Sequence, residues 1–215
     1  LKMNFIPKEI YDYIKNHSVE ESNLLKELSR NTKLKILNPR MLSGSYQGRI
    51  LSMISKLTKP KYILEVGTYT GYATLCLAEG IRDSGELHTI DNNEELYNFQ
   101  REYFNKSGYG DKIFQHLGNA IDLIDTINLK FDLIFLDADK ENYTNYLELL
   151  ANKLNTNGVL ITDNVLWSGK VIKSISDDDL STQEIDKFNK LINQRSDMET
   201  IILPIRDGIS ISRKK

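Results

Sequence analysis

One cysteine, four prolines and three histidines in 215 residues exclude several architectures at the outset. The lone Cys76 rules out an internal disulfide framework and fits a reducing compartment. His17, His88 and His116 are far apart in the sequence and, with a single cysteine, offer no zinc-ligand spacing; they read as ordinary surface or partly buried residues. The prolines are scattered, no Pro- or Gly-rich linker divides the chain, and no repeat or low-complexity tract appears. No apolar run approaches the length needed to cross a bilayer. Leu1 and Lys2, ahead of Met3, read as an expression remnant, and MNFIPKEI lacks the apolar centre of a secretory signal. The expectation is a soluble, cytoplasmic protein. Charge of one sign is lacking too: 28 Lys and Arg against 30 Asp and Glu leave a net charge of -2. That balance gives no overall electrostatic footprint for nucleic acid, although a local basic patch built from Lys26, Lys33, Lys35 and Arg40 stays open.

What is present suits one α/β domain over residues 1–215, with 1–60 a helical segment packed on a core of 61–215. Apolar residues fall at helical spacing in Ile10-Tyr11-Ile14 and again in Leu24-Leu25-Leu28. From Tyr62 onward short β-rich runs alternate with helical stretches: YILEV (62–66), ELHTI (86–90), KIFQH (112–116), FDLIFL (131–136) and GVLIT (158–162). Such alternation predicts βαβ units and a parallel sheet. The nearly all-apolar FDLIFL and GVLIT predict central strands covered on both faces. The ending ETIILPIRDGISISRK reads as two antiparallel strands around Arg206-Asp207-Gly208, because so short a connection cannot join parallel strands.

YILEV runs into Gly67-Thr68-Tyr69-Thr70-Gly71 and then the helical YATLCLAEG. A strand, a tight turn and a helix start in that order make a nucleotide-type site, where glycines let a ligand approach the backbone and free helix N–H groups attract negative charge. The spacing is neither G-x-G-x-x-G nor that of a P-loop. Asp91 ends the next strand, about 20 residues on, where an acid can hold a ribose diol. Glu65, just before the glycines, would repel a pyrophosphate and suit a cationic group. S-adenosylmethionine fits these residues better than NAD.

A second set of residues carries oxygen. FDLIFL ends in Asp137, with Asp139 and Lys140 directly after it, and the stretch LITDNVLWSG (160–169) ends its strand on Asp163 and Asn164. Both ends lie at the carboxyl edge of an open parallel sheet, so they can meet. Adjacent strand residues point to opposite faces, so Asp163 and Asn164 can share a ligand only where the strand unwinds. Two carboxylates and an amide oxygen form a hard donor set for Mg²⁺, Ca²⁺ or Mn²⁺. The bland reading of these acids is solvated loop charge, with Asp139 capping the helix of ENYTNYLELL. Trp167, the sole tryptophan, either covers an aromatic ligand or packs between loop and core. Cys76, between Leu75 and Leu77, reads as a buried small hydrophobe. Asp177-Asp178-Asp179 read as the start of a helix over LSTQEIDKFNKLI.

Together EVGTYTGYATL, LDADKENY, DNVLWSG and LPIRDGISI resemble the metal-dependent, S-adenosylmethionine-dependent O-methyltransferases of the caffeoyl-CoA and catechol type, over nearly the whole chain from Met41. The resemblance implies a Rossmann-like class I methyltransferase fold: a seven-stranded, mostly parallel sheet in the order 3-2-1-4-5-7-6, strand 7 antiparallel, with extra N-terminal helices. It also implies a homodimer. Carried over position by position, it puts the methionine end of the cofactor near Ser43, Glu65, Gly67, Thr68 and Ala73, the ribose at Asp91 and the adenine beside Ala120. Asp137 and Asp139 fall near the sulfonium, and metal ligation falls on Asp137, Asp163 and Asn164. Ser43 stands where plant relatives often carry Thr, and Ala73 where many carry Ser. A shortened N-terminal segment makes caffeoyl-CoA itself a doubtful acceptor, so the expected acceptor is a small catechol-like vicinal diol. Lys140, with Asp137, is the expected catalytic pair: the lysine would accept the phenol proton or steady the phenolate, the former needing a lowered pKa. The competing readings are a tRNA hydroxyuridine methyltransferase of the same architecture and a non-catalytic nucleotide-binding module.

Overall fold

The helical spacing of the first sixty residues produces three helices in the computed structural model, which describes residues 5–215: α1 (Lys8–Asn16), α2 (Asn23–Lys35) and α3 (Ser45–Thr58). Leu1, Lys2 and Met3 lie outside the described residues. Ser22 starts α2, its hydroxyl accepting the Leu25 N–H at 3.3 Å. Leu25, Leu28 and Thr32 then form the stripe that α2 buries. Helix α1 follows the expected spacing yet buries no residue. Its attachment includes an edge-to-face contact of Tyr11 with Tyr46, ring centroids 5.9 Å apart.

Strand and helix then alternate: β1 (Tyr62–Val66), α4 (Tyr72–Ala78), β2 (Glu86–Asp91), α5 (Glu94–Lys106), β3 (Ile113–Leu117), α6 (Ala120–Leu123), β4 (Phe131–Leu136), α7 (Tyr143–Lys153), β5 (Leu154–Asp163), α8 (Leu180–Gln194), β6 (Met198–Leu203) and β7 (Ile209–Lys214). The seven strands make one sheet in the order 3-2-1-4-5-7-6. Strands β1 to β5 pair in parallel, and β7 is antiparallel to both β5 and β6. This is the topology expected from the sequence. Leu133 to Leu136 of β4 are fully buried, because helices cover both faces there. Leu133 and Phe135 pack with α2 to α5, while Ile134 and Leu136 pack with α6 to α8. Asp179 caps α8 by accepting the Thr182 N–H at 3.2 Å, so the acidic run starts a helix as its composition predicts. Cys76 is buried within the first of these cores.

Strands β2, β3 and β5 each end one residue later than the sequence reading, and two strand starts differ from it as well. Strand β3 starts one residue later than 112. Strand β5 starts four residues earlier than 158, because the pairing with β4 jumps from Phe131↔Leu154 to Leu133↔Val159. The intervening polar residues, with Asn157 in the left-handed region at φ 64°, form an irregular entry that shows no alternation.

His17 is exposed and His116 partly buried, as the sequence reading expects, whereas His88 is buried. His88 and His116, distant in sequence, sit on the neighbouring strands β2 and β3 with His88 Nδ1 2.9 Å from His116 Nε2. His88 Nε2 lies 3.2 Å from Glu86 Oε2. Burial holds both imidazoles below the ordinary histidine pKa; Glu86 partly opposes this at His88, and the neighbouring His88 adds to it at His116. The unfolded chain therefore binds more protons as pH falls through the ordinary histidine range, and stability present above that range is lost toward acid. Thermal unfolding followed from pH ~7.5 to ~5.5 should show a steeper fall in Tm for the unaltered chain than for His116→Gln. Equal slopes would exclude this pair as the source.

Candidate active site

The carboxyl ends of β1, β2, β4 and β5 surround an open cleft of about 1160 Å³, where open parallel sheets place their ligands. On the β1 side the chain turns at Gly67 (φ 98°) and Gly71 (φ 84°). Asp91, at the end of β2, is fixed by two backbone donors: the Tyr69 N–H at 2.7 Å and the Asn93 N–H at 2.9 Å. Asn119 caps α6 through the Ile121 N–H at 3.1 Å, which sets Ala120 at the cleft wall. Gly67, Asp91, Ala120, Asp137 and Asp139 all line the cleft.

Ser43, Glu65, Thr68 and Ala73 are buried and lie outside that lining. Glu65 Oε2 accepts from Thr74 and, at 2.6 Å, from the Thr89 hydroxyl. Thr68 shares a hydrogen bond of 2.5 Å with Thr89. Glu65 Oε1 is buried without a partner among the described residues. Burial pushes the Glu65 pKa up to about 8, against the pull of its threonines. A carboxyl in this state lacks a positive partner.

On the other side, the register Leu136↔Thr162 carries on by one residue to put Asp137 and Asp163 at the ends of adjacent strands, which run about 4.8 Å apart. The Asp137 N–H still donates to Val66 O at 2.8 Å, so the acid is held at the sheet edge. Asn164 then enters the left-handed region at φ 62°, the unwinding that adjacent donors require. Asp163 is only 4% exposed. Its Oδ1 accepts the Asn164 N–H at 2.7 Å, its Oδ2 accepts from Gln47 Nε2 at 2.7 Å, and its backbone oxygen accepts from the Tyr143 hydroxyl at 3.0 Å. Burial first, and the Asp137 carboxylate second, push the Asp163 pKa up to about 6. The two acids thus repel one another, against the opposing pull of Gln47, Lys140 and Arg206 on Asp163. Asn164 turns its amide nitrogen toward Asp207 at 3.5 Å, leaving its side-chain oxygen without a donor among the described residues. Asp137, Asp163 and Asn164 line the same cleft, and their oxygens could hold a hard divalent cation. With only two acids, the set is not a cluster of three His, Cys, Asp or Glu, and none of that kind occurs among the described residues.

Lys140 donates to Asp137 Oδ1 at 2.7 Å and to Ala138 O at 2.8 Å. Burial disfavours its ammonium, but Asp137 and Tyr143 outweigh burial and hold the pKa above the ordinary lysine value. Paired with Asp137 in this way, Lys140 favours its ammonium form, which suits steadying negative charge more than accepting a proton. Asp139 accepts from the Tyr146 hydroxyl at 2.7 Å and from the Asn142 amide at 2.5 Å. It precedes a short 3-10 turn, Lys140–Asn142, without a side-chain cap bond. Trp167 packs against the core under α7 and α8, as one of its two sequence readings expects, and it also lines the cleft. Its loop is held by the Ser168 N–H, which donates to Asp207.

Of the four basic residues considered for nucleic acid, Lys26 pairs with Glu20 at 2.5 Å, Lys35 and Arg40 line the cleft, and Lys33 is exposed on α2. Gln47, Tyr143, Tyr146 and Asp207 were not apparent from the sequence. The tyrosines fall one helical turn or two beyond Lys140 and Asp139, a weak local signal. Gln47 has none, being 116 residues from its partner.

A sequence profile of a family described as O-methyltransferase matches residues 15–215. The caffeoyl-CoA O-methyltransferase of Stellaria longipes is 32% identical over 221 residues, covering 96% of this chain and 90% of its own. That of Medicago sativa is 32% identical over 221 residues, covering 95% and 88%. Among solved structures, the O-methyltransferase from Bacillus cereus in complex with SAH superposes with a TM-score of 0.89 at 27% identity, over 96% of this chain and 97% of that one. The SAH-bound methyltransferase of Podospora anserina superposes with a TM-score of 0.87 at 29% identity, over 98% and 97%. No helix among the described residues is long and apolar enough to cross a membrane.

Proposed function

The chain belongs to the O-methyltransferase family over residues 15–215, and from that premise we propose that it transfers a methyl group to one hydroxyl of a catechol-like vicinal diol with the aid of a divalent cation. It is an S-adenosylmethionine-dependent enzyme of the caffeoyl-CoA O-methyltransferase type. The observation that carries the finer reading is the meeting of Asp137, Asp163 and Asn164 on one cleft. A donor set of two mutually repelling carboxylates and an idle amide oxygen fits a hard divalent cation, Mg²⁺ before Ca²⁺ or Mn²⁺.

In this reading Gly67 brings the loop backbone to the cofactor, Asp91 holds the ribose and Ala120 flanks the adenine. Glu65, with its unpartnered buried oxygen, attracts the amino group of the methionine end together with Ser43, Thr68 and Ala73. Asp139 and Asp137 stand near the sulfonium. Bound S-adenosylmethionine would supply an electrophilic methyl carbon, and Asp137, Asp163 and Asn164 would hold a divalent cation that would stabilise the deprotonated acceptor oxygen. Lys140, a cation on Asp137, orients that carboxylate and steadies negative charge on the acceptor oxygen, whose proton passes to solvent water before the methyl is transferred. Trp167 walls the cleft and gives an aromatic acceptor an apolar surface, excluding water from the transfer.

Labelled-methyl uptake tests this directly. Catechols, hydroxycinnamoyl thioesters and hydroxyuridine tRNA are each offered with magnesium and with excess chelator. Magnesium-dependent labelling of the diols is expected, with Lys140→Ala lowering turnover far more than cofactor binding. Full activity in chelator would remove the cation, and normal turnover by Lys140→Ala would remove the lysine. Hydroxyuridine in tRNA is the second reading, supported by Lys35 and Arg40 at the cleft; steeply salt-dependent tRNA binding would favour it.

A further inference from the structure

Gln47 is fully buried in the first turn of α3, and its amide nitrogen donates to Asp163 Oδ2 at 2.7 Å. Its amide oxygen is buried too, with no partner among the described residues. Packing does not explain a glutamine there, since an apolar side chain of similar volume would fill the space without stranding an acceptor. The polar function of the residue lies in its N–H group, and that group is spent on Asp163. We propose that Gln47 is a positioning residue for the cation ligands: it fixes the Asp163 carboxylate in the orientation that cation binding requires. The inference rests on the cation reading given above.

Three constraints act on Asp163. The Asn164 N–H and the Tyr143 hydroxyl are two of them, but the first is a backbone donor and the second reaches the backbone oxygen. Among the described residues Gln47 alone brings a side-chain donor to the carboxylate from a distant element. The mount is rigid. Arg206 Nη1 donates to Leu42 O at 2.9 Å, tying down the segment before α3. At the next residue, Gly48, an added Cβ would stand 2.6 Å from the Tyr72 ring and 2.8 Å from Cys76 Sγ, so α3 is seated directly on α4. The neutrality of the amide also matters. A lysine or arginine in this place would cancel the Asp163 charge and compete with a cation, whereas an amide N–H fixes the carboxylate and leaves its charge available.

The test uses the full chain, with Mn²⁺ as the probe and calorimetric titration as the readout. Gln47→Met keeps the volume and removes the donor; Gln47→Leu provides a second variant should the first fail to fold. Mn²⁺ affinity is expected to fall on the order of 10- to 100-fold. The KM for magnesium should rise in proportion, with kcat at saturating magnesium and SAH affinity within about threefold of the unaltered chain, as expected when only ligand positioning is lost. Unchanged Mn²⁺ affinity in a folded variant would overturn the role of Gln47. So would lower kcat and SAH affinity at an unchanged magnesium KM, the mark of a merely structural residue. An unaltered chain that binds no Mn²⁺ would instead overturn the cation reading itself.

Discussion

Asp163→Ala is expected to lower kcat/KM toward a diol acceptor by on the order of 10³-fold or more, while SAH binding and folding persist. The reasoning starts from the cost of this side chain. Asp163 is a buried acid, its pKa pushed up to about 6 by burial and by the Asp137 carboxylate. A group whose pKa is raised on folding contributes its stability in full below its unfolded value, and that contribution is lost as pH rises from there through the folded value. Above about pH 6 the ionised acid is therefore a burden on the ligand-free protein, offset in part by Gln47, Lys140 and Arg206. Alanine removes the burden. Tm at neutral pH should be unchanged or higher, even though the Gln47 N–H loses its acceptor. An activity collapse without a stability loss distinguishes a residue kept for chemistry from one kept for folding. If Asp163→Ala unfolds the chain, or if methyl transfer survives it, the two carboxylates have another purpose and the diol reading fails.

The sequence told a good deal about this arrangement, for identifiable reasons. Strands β1 and β4 fall where YILEV and FDLIFL put them, because a strand buried on both faces needs an unbroken apolar run. The meeting of Asp137 with Asp163 and Asn164 followed from parallel pairing and from acids abutting two such runs. What stayed hidden depends on separations that no local pattern encodes. His88 and His116 meet only because β2 and β3 are neighbours in register. Gln47 reaches Asp163 across 116 residues, from a helix whose docking the sequence did not show. The start of β5 was missed because a register jump breaks the alternation on which strand reading relies. Lys140 is legible from its place after Asp137, but its pairing is not: burial alone lowers a lysine pKa, and the carboxylate at 2.7 Å acts in the opposite direction.

Gly67→Ala is expected to destabilise the chain by more than about 4 kcal/mol, and the cause is a contact that the sequence motif does not reveal. A glycine after β1 reads as room for a ligand. Here a Cβ on Gly67 would stand 2.0 Å from the backbone oxygen of Asp137 and 2.7 Å from its carbonyl carbon. Backbone cannot swing aside as a side chain can, so the end of β4 would have to shift, and the Asp137 N–H to Val66 O bond at 2.8 Å would be strained with it. Gly108 provides the control. It has a similar φ of 78°, and nothing lies within 4 Å of its added Cβ, so Gly108→Ala incurs only the left-handed penalty, about 1–2 kcal/mol. The difference between the two variants in denaturant unfolding isolates the close approach of β1 and β4. Any folded fraction of Gly67→Ala should also bind Mn²⁺ poorly, because Asp137 rides on the displaced strand end. A Gly67→Ala protein as stable as Gly108→Ala would mean that β4 yields freely. The carboxylate pair would then not be held by the sheet, and its spacing would have to be set by whatever ligand it binds.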